Sequence, residues 1–321
     1  MDLTPSFHLR SRVRQHAAAP RTCSARHASH VSRMDAANNN SPVVEFYNDK
    51  TVFITGATGF MGKVLVEKLL RSTNVKKLLV LIRPKKGVKT ELRLKTLLES
   101  SVFDRLINIF EDSICIQFNE ICRLKKLDPD RLRRVEAVNG DITEEDFGID
   151  EESRKMLIEN VDVIFHSAAT VRFDEELTKS VAMNLGAVST VIKLAKQMKH
   201  LASFVDVSTA YCNCDLKQIE ERIYSAPVDP QAIMDLCKVL DAEKLNTPAV
   251  TQAMIGDKPN TYTFTKALAE NILEIEGKGL PVAIIRPSIV AAAWKDPFPG
   301  RQLCLNECQL PILHYAMTRM G

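Results

Sequence analysis

Charge of one sign is not in excess in this sequence: 43 Lys and Arg stand against 40 Asp and Glu, a formal net charge of +3. A nucleic-acid binder would carry a marked basic surplus, so that class is excluded. There is no run of about 20 apolar residues, so the sequence offers no bilayer-spanning helix. Its longest apolar stretch, "LPVAIIRPSIVAAAW", is broken by Pro281, Arg286 and Pro287 and reads as a buried strand with its exit. No secretory signal accompanies the eight cysteines, which read as reduced thiols in a reducing compartment. Metal-site spacing is missing too. Cys212 and Cys214 are too close for a usual zinc pair, and Cys304 and Cys308 lack a matching second pair. Beyond the N-terminal segment there are no internal repeats or low-complexity blocks.

What is present suits a folded α/β protein. The 321 residues, 45% of them hydrophobic, are enough for one large domain or two small ones with a full core. Residues 1–41 stand apart, with Arg10, Arg12, Arg14, Arg21, Arg26 and Arg33 against Asp2 and Asp35. That composition is expected to be a disordered extension. An Arg-rich, acid-poor transit peptide is the alternative, and Met34 is a possible second start. From position 42 strands and helices alternate. "TVFIT", "KKLLVLIRP", "RRVEAVNGDI", "VDVIFHSAA", "ASFVDVSTAY" and "PVAIIRPS" read as strands. "MGKVLVEKLLRS", "TELRLKTLLES", "FDRLINIFE" and residues 174–199 read as helices. The pattern predicts a doubly wound parallel sheet of the Rossmann, NAD(P)-binding type over 42–300. Residues 301–321 form a divergent tail.

"FITGATGFMGK" places Gly56, Gly59 and Gly62 at the first strand-to-helix turn. Glycine there lets backbone approach a phosphate, and the following helix N-terminus offers free N–H groups and partial positive charge. A dinucleotide pyrophosphate meets both conditions, with Thr55 and Phe60 flanking the loop. The second strand ends in "LIRPKKG", with Arg83, Lys85 and Lys86 and no carboxylate. A guanidinium suits a ribose 2′-phosphate, so NADPH is expected. Asp141, after the third strand, is placed either to accept from the adenine amino group or to hold a turn.

"YTFTK" sets Tyr262 and Lys266 four residues apart, on one face of a helix. A tyrosine titrates near ~10, and a neighbouring ammonium is expected to lower that value so that the phenol exchanges its proton near neutrality. Upstream, "VSTAY" puts Ser208 and Thr209 at a strand end, where either hydroxyl can hold a carbonyl oxygen or cap a helix.

With these segments in order, the chain resembles the extended short-chain dehydrogenase/reductases. Within them it is similar to the alcohol-forming fatty acyl-CoA reductases, especially the insect kind. The resemblance runs from about 41 to 300 and rests on "FITGATGFMGKVLVEKLLRS", "VIFHSAATVRFDEEL", "VSTAYCNCDL", "NTYTFTKALAE" and "IIRPSIV". It implies NADPH, a long-chain acyl-CoA substrate and a fatty alcohol product formed through a bound aldehyde. By that likeness Gly56, Gly59 and Gly62 bind pyrophosphate and Arg83 the 2′-phosphate. Tyr262 is the acid, Lys266 its partner and a ligand of the nicotinamide ribose, and Thr209, ahead of Ser208, orients the carbonyl. His166 to Ala169 run beside the cofactor, Ala168 among them, with His166 expected to be a satisfied strand-end histidine. The family implies membrane association at the peroxisome or endoplasmic reticulum. Two departures stand out: Ala291 replaces a usual glycine, and the sequence after "PFPG" reads as a truncated or alternatively spliced end.

Overall fold

The computed structural model describes residues 41–85, 87–100 and 129–290. The N-terminal extension, the helix expected over "FDRLINIFE", Lys86, Ala291, the Cys304/Cys308 pair and the tail over 301–321 lie outside the described residues.

Six parallel strands form one sheet: β1 (Thr51–Thr55), β2 (Lys77–Ile82), β3 (Val135–Asn139), β4 (Val163–His166), β5 (Ser203–Val207) and β6 (Val282–Ile285). Their spatial order is β3-β2-β1-β4-β5-β6. β1 is buried at every position, as expected of a parallel strand covered on both faces. The two-residue side-chain period sorts it between two cores. Phe53 joins Leu79, Ile164 and Phe204 on one face, while Val52 and Ile54 join Leu78, Val80 and Val163 on the other. Chain order reverses across β1, whose neighbours are β2 and β4. In open α/β sheets ligands bind at the carboxyl ends of strands at such a reversal.

The glycine turn leads from β1 into helix α1 (Phe60–Ser72). Helix α2 (Thr90–Leu98) follows β2, and α3 (Glu151–Asn160) precedes β4. The helix expected over 174–199 is three pieces: α4 (Leu177–Ser180), a π-helical segment over Val181–Gly186, and α5 (Ala187–Ala195). The wider turn lies where buried Asn184 accepts from the Thr170 amide at 2.9 Å and donates to the Thr170 carbonyl and the Thr265 hydroxyl at 3.1 Å each. π-segments of this kind recur at functional positions. Helices α3 and α6 (Pro230–Val239) were not foreseen from periodicity. Each opens on an aspartate, Asp150 and Asp229, whose carboxylate accepts a backbone N–H three residues on. Helix α7 (Thr261–Glu276) starts in the same way, with Asn260 accepting from the Thr263 amide at 2.9 Å. That cap starts the helix one residue before Tyr262 and so fixes its first turn at the sheet's carboxyl edge. Among the described residues no helix is long and apolar enough to cross a membrane.

Candidate active site

Gly56 has φ +75°, in the region L-residues avoid, and a Cβ there would lie 2.6 Å from the Ala168 amide nitrogen. A Cβ on Gly62 would lie 2.6 Å from Ala57 Cα. These two glycines therefore let the turn fold against the β4 exit and against its own helix. Gly59 is the N-cap of α1, and no side chain caps that helix end. The first-turn N–H groups have no intrahelical acceptor and point to where an anion would sit, beside half-buried Phe60. The donor set fits a dinucleotide pyrophosphate.

Thr55 lies beneath the turn, fully buried. Its hydroxyl is 2.8 Å from His166 Nδ1 and accepts from the Ala168 amide at 3.3 Å. Thr55 and Ala168 thus hold the two strand ends together. The expectation for His166 needs correction in one respect: Nδ1 is satisfied, but Nε2 has no partner. Burial, with the nearby Lys266 charge, holds this imidazole down to about 3, so it stays neutral.

Tyr262, half-buried, packs its ring 5.8 Å from that of Phe173. The expected lowering of its pKa does not occur. Burial pushes the phenol up, and the charges of Cys212 and Asp206 push the same way. The pull downward comes from the Thr209 side chain beside it. Lys266 is 2% exposed, and its ammonium donates to the Val207 carbonyl at 2.7 Å rather than acting on the phenol. Desolvation wins because the tyrosine sits in the packed seam between α7 and the β5 exit. A phenol held up in this way stays protonated at neutral pH, as a proton donor must.

The two hydroxyls of "VSTAY" have different partners. Thr209 lies against Tyr262 and accepts from the Tyr211 amide at 3.2 Å, whereas Ser208 is turned into the core and donates to Glu270 Oε1 at 2.5 Å. Glu270 also takes Arg286 in a forked pair, 2.8 Å from Nε and 2.6 Å from Nη2. Arg286 donates in turn to the carbonyls of Glu220 and Arg222. Lys258 holds the start of the same loop through the Cys212 carbonyl at 2.9 Å and Asp215 at 2.5 Å. Burial pushes the Cys212 thiol up to about 12, which leaves it unreactive.

At the end of β2, Arg83 is exposed with Nε 3.6 Å from Asp141 Oδ2. Asp141 uses its other oxygen for a turn, accepting from the Thr143 amide and hydroxyl at 3.0 and 2.9 Å. Arg93, from α2, donates to the Arg83 carbonyl oxygen. The structure thus gathers Arg83, Asp141 and Arg93 at one strand edge. Sequence reading missed Arg93, Asn184, Phe173, Glu270 and Arg286. The Glu270 and Arg286 signal was available, since buried-helix and strand-end charges at such positions need partners. Their identity as partners was not. A cleft of about 570 Å³, lined by Ile142, Thr178, Ser189, Lys193, Met234 and Lys238 among others, reaches Thr143 but none of the site residues expected from the sequence.

A family described as Male sterility protein, an NAD-binding family, matches residues 54–320. The chain belongs to the Male sterility protein family. This Male sterility family chain is 44% identical over 259 residues to Fatty acyl-CoA reductase 1 of Xenopus laevis, covering 80% of the chain and 46% of that protein. It is 41% identical over 261 residues to Fatty acyl-CoA reductase 2 of Bos taurus, covering 81% and 47%. The chain therefore spans about half the length of these curated relatives. Among solved structures it is similar to the reductase (R) domain of a nonribosomal peptide synthetase from Mycobacterium tuberculosis. That match has 29% identity and a TM-score of 0.49, covering 76% of this chain and 49% of that one.

Proposed function

We propose that this Male sterility family chain reduces long-chain fatty acyl-CoA to fatty alcohol with NADPH. The observation that carries the reading is the placement of the Thr209 side chain against Tyr262, with Lys266 one turn further along α7, in a sheet whose first strand runs into the uncapped glycine turn. Kinship with the fatty acyl-CoA reductases supplies the substrate class.

Gly56, Gly59 and Gly62 would hold the pyrophosphate against the N-terminus of α1, and Lys266 the nicotinamide ribose. NADPH, when bound, supplies the hydride. Thr209 and Tyr262 present two hydroxyl donors from two rigid elements, so both can converge on a thioester carbonyl oxygen and stabilise the oxyanion that develops. Departure of the CoA thiolate leaves an aldehyde. In the second reduction Tyr262 gives its phenolic proton to the alkoxide. The substrate is an amphiphile, which fits a working place at a membrane face, peroxisome or endoplasmic reticulum by resemblance. The test is product analysis after incubating the chain with palmitoyl-CoA and NADPH, beside a panel of sugar nucleotides. Hexadecanol with two NADPH consumed is expected. Turnover of a sugar nucleotide in place of the thioester would overturn the reading.

The preference for NADPH rests on Arg83, with Arg93 behind it and no carboxylate on β2 itself. A charge-assisted bond to a phosphate is worth about 1.5–3 kcal/mol. Arg83→Ala is therefore expected to weaken NADPH binding by roughly one to two decades and to leave NADH nearly unchanged. Calorimetric titration measures both, and equal affinities in the parent protein would refute the assignment.

A further inference from the structure

Asp206 and His166 are fully buried, and the reaction described above uses neither. They occupy paired positions on adjacent strands, at the register His166↔Asp206, and so lie on one face of the sheet. Both oxygens of Asp206 and Nε2 of His166 have no hydrogen-bond partner. Their chemistry is complementary. Asp206 offers acceptors alone, and neutral His166 carries one ring N–H whose position, Nδ1 or Nε2, follows its bond with Thr55.

Lys266 is the third member. It is 2% exposed, and the Val207 carbonyl, next to Asp206, is its acceptor. A buried ammonium held by one neutral dipole needs a counter-charge. The other carboxylate of α7 in this region, Glu270, is already committed to Arg286. Asp206 is the carboxylate left. The two do not touch, for among the described residues no ion pair within 4.0 Å joins them. Their charges nevertheless act on each other.

We propose that Asp206 is a positioning residue whose buried carboxylate is the counter-charge of Lys266, acting across the seam between β5 and α7 beneath the site. The catalytic helix is then held to β5 by charge, while Thr55 and His166 fix the neighbouring strand ends under the cofactor turn. The consequence for turnover rests on the Tyr262–Lys266 reading; the charge pairing itself does not. Burial raises Asp206 to about 6, with Lys266 pulling it down and Glu270 pushing it up. His166, held near 3, adds no charge from β4, and Ile284, the register partner of Asp206 on β6, carries none. Tyr262 is protonated across this range, and the charge on Glu270 is met by Arg286. The sign follows. A carboxyl raised in the fold opposes folding once ionised, so its penalty is absent below the unfolded carboxylate value and complete above about 6. Lys266 offsets that penalty only where Asp206 is ionised.

The experiment is a double-mutant cycle on the full chain, Asp206→Asn, Lys266→Met and both together, by urea unfolding at pH 8 and pH 5. No cofactor or turnover is needed. At pH 8 the coupling is expected to be about tenfold in the folding equilibrium constant, the double variant being less impaired than the singles predict. At pH 5 it should fall to near unity, because Asp206 is then protonated. A merely structural role predicts the same coupling at both pH values. Equal coupling at pH 5 and 8, or none at pH 8, would overturn the proposal. Should Lys266→Met not fold, the parent and Asp206→Asn are titrated with NADPH from pH 5 to 8. Because the 2′-phosphate itself titrates near ~6, both affinities should fall with falling pH, the parent's more steeply than the variant's. Identical profiles would overturn the pairing, whereas failure of the parent to bind NADPH would count against the cofactor reading alone.

Discussion

Tyr262→Phe is expected to lower acyl-CoA reduction by about 10²–10⁴-fold, the range that positioned acid–base groups contribute. The change deletes one hydroxyl and keeps the ring that packs on Phe173 at 5.8 Å, so the melting temperature should hardly move. The lost hydroxyl also lies against the Thr209 side chain. Thr209→Val should therefore be defective by itself, and the double variant little worse than Tyr262→Phe, because groups that act as a unit are not additive. Ser208→Ala should behave differently: it removes a bond to Glu270 in the core, so it should show in stability before it shows in rate. Single-turnover measurement of NADPH oxidation, with alcohol and aldehyde quantified, decides the matter. Near-parental rates in Tyr262→Phe would remove this tyrosine from the mechanism.

The largest stability effect should come from a residue that touches no substrate. Arg286→Met leaves the Glu270 carboxylate, 1% exposed, without its forked partner. Removing one member of a buried ion pair costs about 3–5 kcal/mol, chiefly through the uncompensated charge left behind. It also frees the carbonyls of Glu220 and Arg222, so amides in that loop should exchange faster with solvent. Replacing both partners, Arg286→Met with Glu270→Leu, should recover much of the loss, since two apolar groups of similar size leave no buried charge. Urea unfolding checks both variants. A cost below about 1 kcal/mol for Arg286→Met would mean that solvent reaches Glu270 and that the pair is in effect a surface one.

The sequence by itself determined what depends on local spacing. β-branched runs such as "TVFIT", the glycine triplet from Gly56 to Gly62, and the four-residue interval from Tyr262 to Lys266 follow from strand, turn and helix periods that act over a few residues. Those periods were enough to anticipate six parallel strands, a glycine turn between the first strand and the helix after it, and a tyrosine and lysine on one helix. Only the tertiary structure decided which partner each polar group takes. Ser208 and Thr209 are adjacent and chemically alike, yet packing turns one to Glu270 and the other to Tyr262. Arg83 and Asp141 are far apart in sequence and are brought to 3.6 Å by the pairing of β2 with β3. The direction of the Tyr262 shift was misjudged for the same reason. A four-residue spacing puts an ammonium nearby, but it contains no information on how much water the fold removes or where that ammonium finds its acceptor. Desolvation is a property of the whole packed interior. His166 reads as an ordinary strand-end residue, and Asp206 draws no notice in the sequence, until the parallel register of β4 and β5 sets them side by side, buried, with Lys266 as their neighbouring charge.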